Sequence, residues 1–375
     1  MIDRPLIVIQ PTPFCNIDCS YCYLPERSSK KSASMELIER IAEAVFEARW
    51  WTGTYTFLWH LGEPLSLPTT YYAEAFAIIE QSSRRHDRSY VHSFQTNATL
   101  LNQQWVDFLK VQGVRVGVSV DGPAFIHDRC RQTRGGRGTH ARTMQGIRLL
   151  QAAGVAFGTI SVLTNYTLDF ADEMLAFFDE SGISEIAFNI DELEGIHGTT
   201  SFAQGTAGER YRRFLLRILA LIEKRGNRIR LRELSKALPP LLHGAAPYNL
   251  ASQPLRMLTF DCDGNFSSFC PELRAARSDR FQNFVMGNVL CDDLETVLSN
   301  PVFEAVTAEV KAGLAKCERE CGYWNYCGGG DPSSKFFQHG RFDVTETTTC
   351  KIHKQETFNA VVAYLEAKHL PVLHS

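Results

Sequence analysis

Runs rich in β-branched and aromatic residues recur through the first half of the chain: LIVIQ at 6–10, TFLWHL at 56–61, YVHSFQT at 90–96, RVGVSV at 115–120, FGTISVL at 157–163 and EIAFNI at 185–190. Helical stretches separate them. In MELIERIAEAVFEARW the apolar Leu37, Ile38, Ile41, Val45 and Ala48 fall on one helix face, with Ser34 placed to cap it. Six strands alternating with helices predict an α/β fold on a parallel sheet. The residues just past each strand are polar or special: a cysteine loop, Gly62-Glu63-Pro64, Asn97, Asp121, Asn165, and Asp191 with Glu192. Turns and caps account for some of these, but barrel-type βα folds also build their sites on that rim.

Residues 201–245 read as helical, with Leu215, Leu216, Ile218, Leu219 and Ile222 as a core-facing stripe and ALPPLLHGAAP as a closing run of breakers. From about 253 the chain turns to short runs, glycines and cysteines, and it ends in a helix near 352–367. The expected division is a barrel core at 1–195, a helical connector at 196–252 and a cysteine-bearing domain at 253–375. No internal repeat or low-complexity tract interrupts it.

A formal net charge of −3 with scattered Lys and Arg offers no face for nucleic acid. The start lacks a signal-type region, and no apolar run approaches the ~18 residues of a membrane span, so a cytoplasmic protein with no membrane partner is expected. Eleven cysteines, an odd number in two clusters, fit metal ligation better than a disulfide framework.

The first cluster is CNIDCSYC, with Cys15, Cys19 and Cys22 on one short loop. Three thiolates on a four-iron cube leave one iron free for a small molecule. This CxxxCxxC spacing, after the first strand of a βα repeat, resembles the radical S-adenosylmethionine (radical SAM) superfamily. The resemblance implies a partial (β/α)6 TIM-like barrel, a 4Fe-4S cluster on Cys15, Cys19 and Cys22, and bound SAM with Tyr21 near its adenine. HLGEPL at 60–65 is similar to the family's GGEP element, with Leu61 in place of the first glycine; Gly62 and Glu63 would hold the SAM amino group. VSVDGP followed by HDRCRQTRGG is similar to the fourth-strand region, which implies that Ser119 and Arg131 meet the SAM carboxylate. Asn97 and Leu163 resemble positions lining ribose and adenine. Cys130 reads as a packed thiol.

The second cluster is CERECGYWNYCGGGDPSSK, with Cys317, Cys321 and Cys327, followed by Cys350. Four thiolates suffice for one cluster, and a structural zinc is the alternative. The pattern resembles the auxiliary-cluster region of SPASM domains, and FDCDGNFSSFCPEL resembles their hairpin. Two partner cysteines of the hairpin are missing, and Asp331 stands where a further cysteine is usual. One auxiliary 4Fe-4S cluster is therefore expected, with Cys262, Cys270 and Cys291 unligated; a second cluster that uses Asp331 is the variant reading.

As a whole the chain looks most like the cyclophane-forming radical SAM/SPASM peptide maturases of the GrrM/OscB type. That resemblance implies reductive cleavage of SAM to a 5'-deoxyadenosyl radical, hydrogen removal from a side-chain Cβ of a ribosomal precursor peptide, and closure onto an aromatic ring. Glu272 is the expected proton acceptor, with Asp191, Glu192 and Glu194 as competitors. A flavodoxin, ferredoxin or other reductase would supply the electron. With five residues before the first strand no fused leader-binding domain is expected, so the peptide is expected to dock on the body of the protein, at the helices of 201–245 or the hairpin's edge strand, or on another chain. A sulfatase-type or thioether-forming maturase is the enzymatic alternative. An iron-sulfur electron carrier or zinc-stabilised binding module is the non-enzymatic one.

Overall fold

The computed structural model describes residues 2–203, 205–245 and 249–368; Ala246 and Pro247 of the breaker run lie outside them. Six strands follow one another in parallel: β1 (Leu6–Ile9), β2 (Tyr55–Trp59), β3 (Tyr90–Thr96), β4 (Arg115–Ser119), β5 (Phe157–Leu163) and β6 (Glu185–Ile190). Helices α1 (Met35–Glu47), α2 (Thr69–His86), α3 (Gln103–Val111), α4 (Ala124–Cys130), α5 (His140–Ala152) and α6 (Ala171–Glu180) connect them. The predicted cap is present, since Leu37 N donates to Ser34 Oγ at 3.1 Å. This is the α/β arrangement on a parallel sheet that the pattern predicts, in keeping with the partial barrel that the resemblance implies.

The sheet runs further than six strands. β7 (Arg230–Leu231) extends it beyond β6. At the other edge β8 (Met257–Phe260) pairs in parallel with β1, and β9 (Phe266–Ser268) turns back antiparallel on β8. The hairpin of the cysteine-bearing tail is thus part of the barrel's own sheet. Its edge is partly covered: Phe266 N donates to Gly287 O at 3.0 Å, and Met286 N to Phe266 O at 2.9 Å. On that side Phe266 has both backbone groups taken, which leaves little of this three-residue strand for the peptide expected there. A further short pair, Ile2–Asp3 with Trp51–Thr52, occupies the residues before β1.

The two faces differ. Ile7, Ile9, Phe57, Trp59, Phe94, Val116, Val118, Leu163 and Phe188 point toward the helices and merge into one large core. On the concave face a small group of Val8, Leu24, Leu61 and Met257 fills the β8–β1–β2 end. Along β3 to β6 the concave positions Gln95, Gly117, Ser119, Ile160, Val162 and Asn189 are half-buried, and only the small Ala187 on β6 is buried among them. Closed eight-stranded barrels pack this space with branched side chains. Here it stays open.

Beyond the sheet, α7 (Ala207–Lys224) buries the predicted stripe against α6 and α12 (Glu356–Glu366). α8 (Arg232–His243) follows it, and the tail adds α9 (Pro301–Glu320), α10 (Trp324–Cys327), α11 (Pro332–His339) and a π-helical turn at Cys350–Gln355. Asn300 caps α9 by accepting from Val302 N at 2.8 Å. Among the described residues no helix is long and apolar enough to cross a membrane. Four rings hold the tail together: Phe284 lies 5.3 Å from Phe281, 4.8 Å from Phe336 and 5.9 Å from Phe342. Phe284→Ala should destabilise the protein by about 3–5 kcal/mol through the cavity it leaves, read as a lower denaturation midpoint in urea.

Candidate active site

The loop that leaves β1 carries the first three cysteines, and backbone bonds strap it to the α4–α5 connection. Asp18 N donates to Gln132 O at 2.6 Å and Ser20 N to Cys130 O at 3.0 Å. Arg134 donates to Cys15 O at 3.0 Å, and Arg27 pairs with Asp18 at 2.7 Å. The loop is therefore preformed. Burial, then the charge of Glu63 and the neighbouring Cys22, push the Cys15 thiol up to about 12; burial lifts Cys19 further, with Cys22 and Cys15 adding to it. Mutually coupled thiols like these suit a metal group, whose binding displaces their protons.

The next loop packs directly on this one. A Cβ at Gly62 would lie 2.2 Å from Thr12 O and 2.9 Å from Phe14 O, and φ there is +137°, so glycine is required. Leu61, which stands in the family's glycine position, keeps the glycine-type backbone at φ +68° while its side chain is buried beside Val8 and Leu24. Glu63 N donates to Phe14 O at 2.7 Å. Its carboxylate accepts from Leu65 N at 3.0 Å, Thr96 Oγ1 at 2.7 Å and Asn97 N at 2.8 Å. Burial nevertheless outweighs these bonds and raises Glu63 to about 7. Asn97 ties the two loops: its Nδ2 donates to Asn16 Oδ1 at 2.9 Å and points at Cys15 Sγ, 3.9 Å away.

Sequence reasoning passed over the hub of the site. Asp121, treated as a strand end, is 2% exposed and accepts from Tyr21 OH at 2.5 Å and Val162 N at 2.9 Å, with Arg131 Nε 3.0 Å away. Arg131 in turn lies 4.0 Å from Cys19 Sγ through Nη1 and 5.5 Å from the Tyr21 ring centre. His127, fully buried, accepts from Asp121 N at 3.3 Å and meets Thr139 Oγ1, which donates to Arg131 O. Tyr21 and Arg131, chosen separately from the sequence, are thus joined by one carboxylate. Ser119 is on the open concave face, where its Oγ accepts from Gln95 Nε2 at 2.9 Å, and Gln95 lies across Gly117, where a Cβ would meet its Oε1 at 2.2 Å. Leu163 lies elsewhere. Its side chain is in the helix-facing core, and Ile160 and Val162 are the β5 side chains on the concave face.

The tail brings Cys317, Cys321, Cys327 and Cys350 within electrostatic reach of one another; Cys350 is pushed up to about 12 by burial and then by Cys327. Gly330 N donates to Cys327 Sγ at 3.2 Å, and Lys335 Nζ lies 3.6 Å from Cys317 Sγ. Among the described residues no three His, Cys, Asp or Glu side chains converge closely enough to hold a single metal ion. Both thiol sets have the donor chemistry of an iron-sulfur cluster. Cys270 sits apart from them, and the groups that act most on its thiol are Glu272, Asp331 and Ser333.

Between the two thiol sets lies a carboxylate recess. Ser334 Oγ and Thr349 Oγ1 donate to Glu192 Oε2 at 2.6 and 2.9 Å. Glu194 and Glu272 face it, and Asp331 pairs with Lys354 at 3.1 Å. Burial first, and then the neighbouring carboxylates, push Glu192, Glu194 and Glu272 above the usual range. Tyr23 borders the recess beside Glu272, Glu194 and Cys22. Gly195 locks the β6 loop onto the cysteine loop, since a Cβ there would lie 2.1 Å from Tyr23 O. Asp191 is committed elsewhere: it accepts from Ser201 N and Oγ at 2.8 and 2.7 Å.

A three-thiol loop on the carboxyl rim of a parallel α/β sheet, facing an open interior, defines a class of cofactor-dependent enzyme. Comparison with known proteins agrees. The radical SAM superfamily matches residues 9–178. An uncharacterized Synechocystis sp. protein, sll1766, is 38% identical over 366 residues, which cover 96% of this chain and 92% of that one. The serine-type anaerobic sulfatase-maturating enzyme of Bacteroides thetaiotaomicron is 30% identical over 219 residues, 55% of this chain and 52% of its own length. Two solved structures share the fold. They are anSMEcpe with bound AdoMet (TM-score 0.81, 19% identity, 97% of this chain and 98% of that one) and Streptococcus suis SuiB bound to precursor peptide SuiA (0.64, 14%, 93% and 76%). The family match thus places residues 9–178, with the three-thiol loop and strands β2–β5, in the radical SAM superfamily, whose enzymes use a 4Fe-4S cluster and SAM.

The Asp121 hub generates a direct test. Asp121→Asn strands the buried Arg131 charge and should cost about 3–5 kcal/mol in unfolding experiments, most of which should return when Arg131→Met is added.

Proposed function

We propose that this enzyme is a peptide maturase that forms carbon–carbon, cyclophane-type crosslinks between an aromatic ring and a side-chain Cβ of a ribosomally made precursor peptide. The observation that carries the reading is the carboxylate recess between the two thiol sets. Ring closure onto an aromatic carbon must release one electron and one proton, and carboxylates that could take the proton lie between the two thiol sets. The expected division into a barrel core, a connector and a SPASM-type tail belongs to this proposal, as do the residue roles.

Cys15, Cys19 and Cys22 would hold the SAM-binding cluster, and Cys317, Cys321, Cys327 and Cys350 one auxiliary cluster. Loaded, the first site supplies a 5'-deoxyadenosyl radical from SAM that removes a hydrogen atom from the substrate carbon. Glu63, oriented by three donors, would bind the SAM ammonium. Ser119 and Arg131 would receive its carboxylate, with Arg131 held in place by Asp121. Tyr21 and Asn97 would border the adenine and ribose. On β5 the side chains available for that contact are Ile160 and Val162, which leaves Leu163 its backbone. Glu272 would take the ring proton, a role that its raised pKa suits. The open concave face keeps the reacting groups apart from bulk water once the peptide covers it. An external flavodoxin, ferredoxin or reductase would deliver the electron.

A peptide substrate is supported by the relatives' own descriptions, SuiB with its precursor peptide and the sulfatase-maturating enzymes. A sulfatase-type reaction is the second reading, favoured by the likeness to anSMEcpe. Cys270 speaks against it, because carboxylates and a serine surround it where a second auxiliary cluster would need thiols.

Anaerobic co-expression with a short glycine-rich precursor peptide should give a product lighter by two hydrogens per site, with fragmentation blocked across an aromatic-containing segment. An unmodified peptide would reject the substrate, and loss of two hydrogens from a single Cys or Ser would favour the sulfatase-type reaction. Glu63 adds a pH signature. Its proton is retained on folding, so ionising it costs stability as pH rises from about 4.5 toward about 7, and only the ionised form attracts an ammonium. SAM affinity should weaken about fivefold from pH 7 to pH 6, a dependence that Glu63→Gln abolishes in equilibrium binding.

A further inference from the structure

Lys335 is the least expected charge in the molecule. It sits in α11, four residues after Asp331, and is only 4% exposed. Lysine is almost never buried to this degree without a partner, because removing an ammonium from water costs several kcal/mol. Among the described residues it ion-pairs with no carboxylate; its Nζ approaches Cys317 Sγ at 3.6 Å. The void alongside, which Ser252, Val310, Leu314, Pro332 and Phe342 bound, is too small to hold a water molecule. A neutral thiol is a poor partner for a buried cation. A thiolate that shares the negative charge of a metal cluster is a good one.

The surrounding loop is built to the same end. Gly330 directs its N–H at Cys327 Sγ, and the loop can take this path because Gly329 has φ +105° and packs where a Cβ would lie 2.2 Å from Leu314. Asn249 Nδ2 fixes the loop by donating to Gly330 O at 2.6 Å. One sulfur thus receives a backbone N–H and another an ammonium. Net charge and hydrogen bonds to sulfur are among the factors that set a cluster's potential.

We propose that Lys335 is the built-in counter-ion of the auxiliary cluster held by Cys317, Cys321, Cys327 and Cys350, and that it raises the cluster's reduction potential. This rests on the auxiliary-cluster reading above. It makes Lys335 a positioning and tuning residue that need not touch substrate.

The test uses the full-length chain with Cys15, Cys19 and Cys22 changed to Ala, so that the auxiliary site alone can bind iron. Anaerobic reconstitution of this background should give about four irons per chain and one iron-sulfur signal; no signal would reject the auxiliary cluster itself. In the same background Lys335→Met should shift the midpoint potential to more negative values in an EPR-monitored titration, or lose iron outright, while Lys335→Arg stays near the parent. An unchanged potential with full iron in Lys335→Met would overturn the counter-ion role and leave the cluster standing. Equal shifts or equal iron loss in the Met and Arg variants would assign the effect to packing, and that also overturns it.

Discussion

The arrangement of the first site depends on one buried carboxylate. Asp121 takes the Tyr21 hydroxyl and the Val162 amide, pairs with Arg131, and so draws the cysteine loop, the end of β5 and the α4–α5 connection to one point. Each partner alone is unremarkable. Together they leave Arg131 charged, buried and aimed toward Cys19, the polarity that suits a thiolate-bound metal group or a ligand carboxylate. A buried pair of this kind adds little to stability over an apolar replacement, yet it fixes a geometry that an apolar core would leave loose.

A second constraint is the close approach of loops across the carboxyl rim. Gly62 lies against Thr12 and Phe14, and Gly195 against Tyr23, each where a side chain could not fit. The first contact sets Glu63 beside the thiols; the second brings Glu192 and Glu194 toward Cys22. The tail completes the enclosure. Because β8 pairs with β1, the cysteine-rich segment is fixed relative to the β1 loop by sheet hydrogen bonds, and the recess between the two thiol sets has defined walls.

Much of this was legible in the sequence. The six strands appear within a residue or two of their predicted ends, because period-2 alternation and β-branched residues mark them directly. The two cysteine sets were visible from spacing, and Gly62 and Glu63 from the family likeness of HLGEPL. What remained hidden was non-local. The β8–β1 pairing joins segments some 250 residues apart, and nothing in MLTF or LIVI specifies the other as its neighbour. Asp121 reads as a strand-end turn until Tyr21 and Arg131 are seen to converge on it. Lys335, inside DPSSK, looks like a surface lysine, since burial of a charged residue leaves no local signal. Leu163 differs: the alternation of FGTISVL already places it on the side opposite Ile160 and Val162, and the family likeness drew attention away from that pattern.

The central claim is that the preformed three-thiol loop, with Glu63 and the Asp121–Arg131 pair beside it, cleaves SAM. The most direct measurement is the formation of 5'-deoxyadenosine by the anaerobically reconstituted full-length enzyme with dithionite and SAM, set against the chain with Cys15, Cys19 and Cys22 changed to Ala. The account predicts product from the first and none from the second. No product from a fully iron-loaded enzyme, or equal product from both, would contradict it.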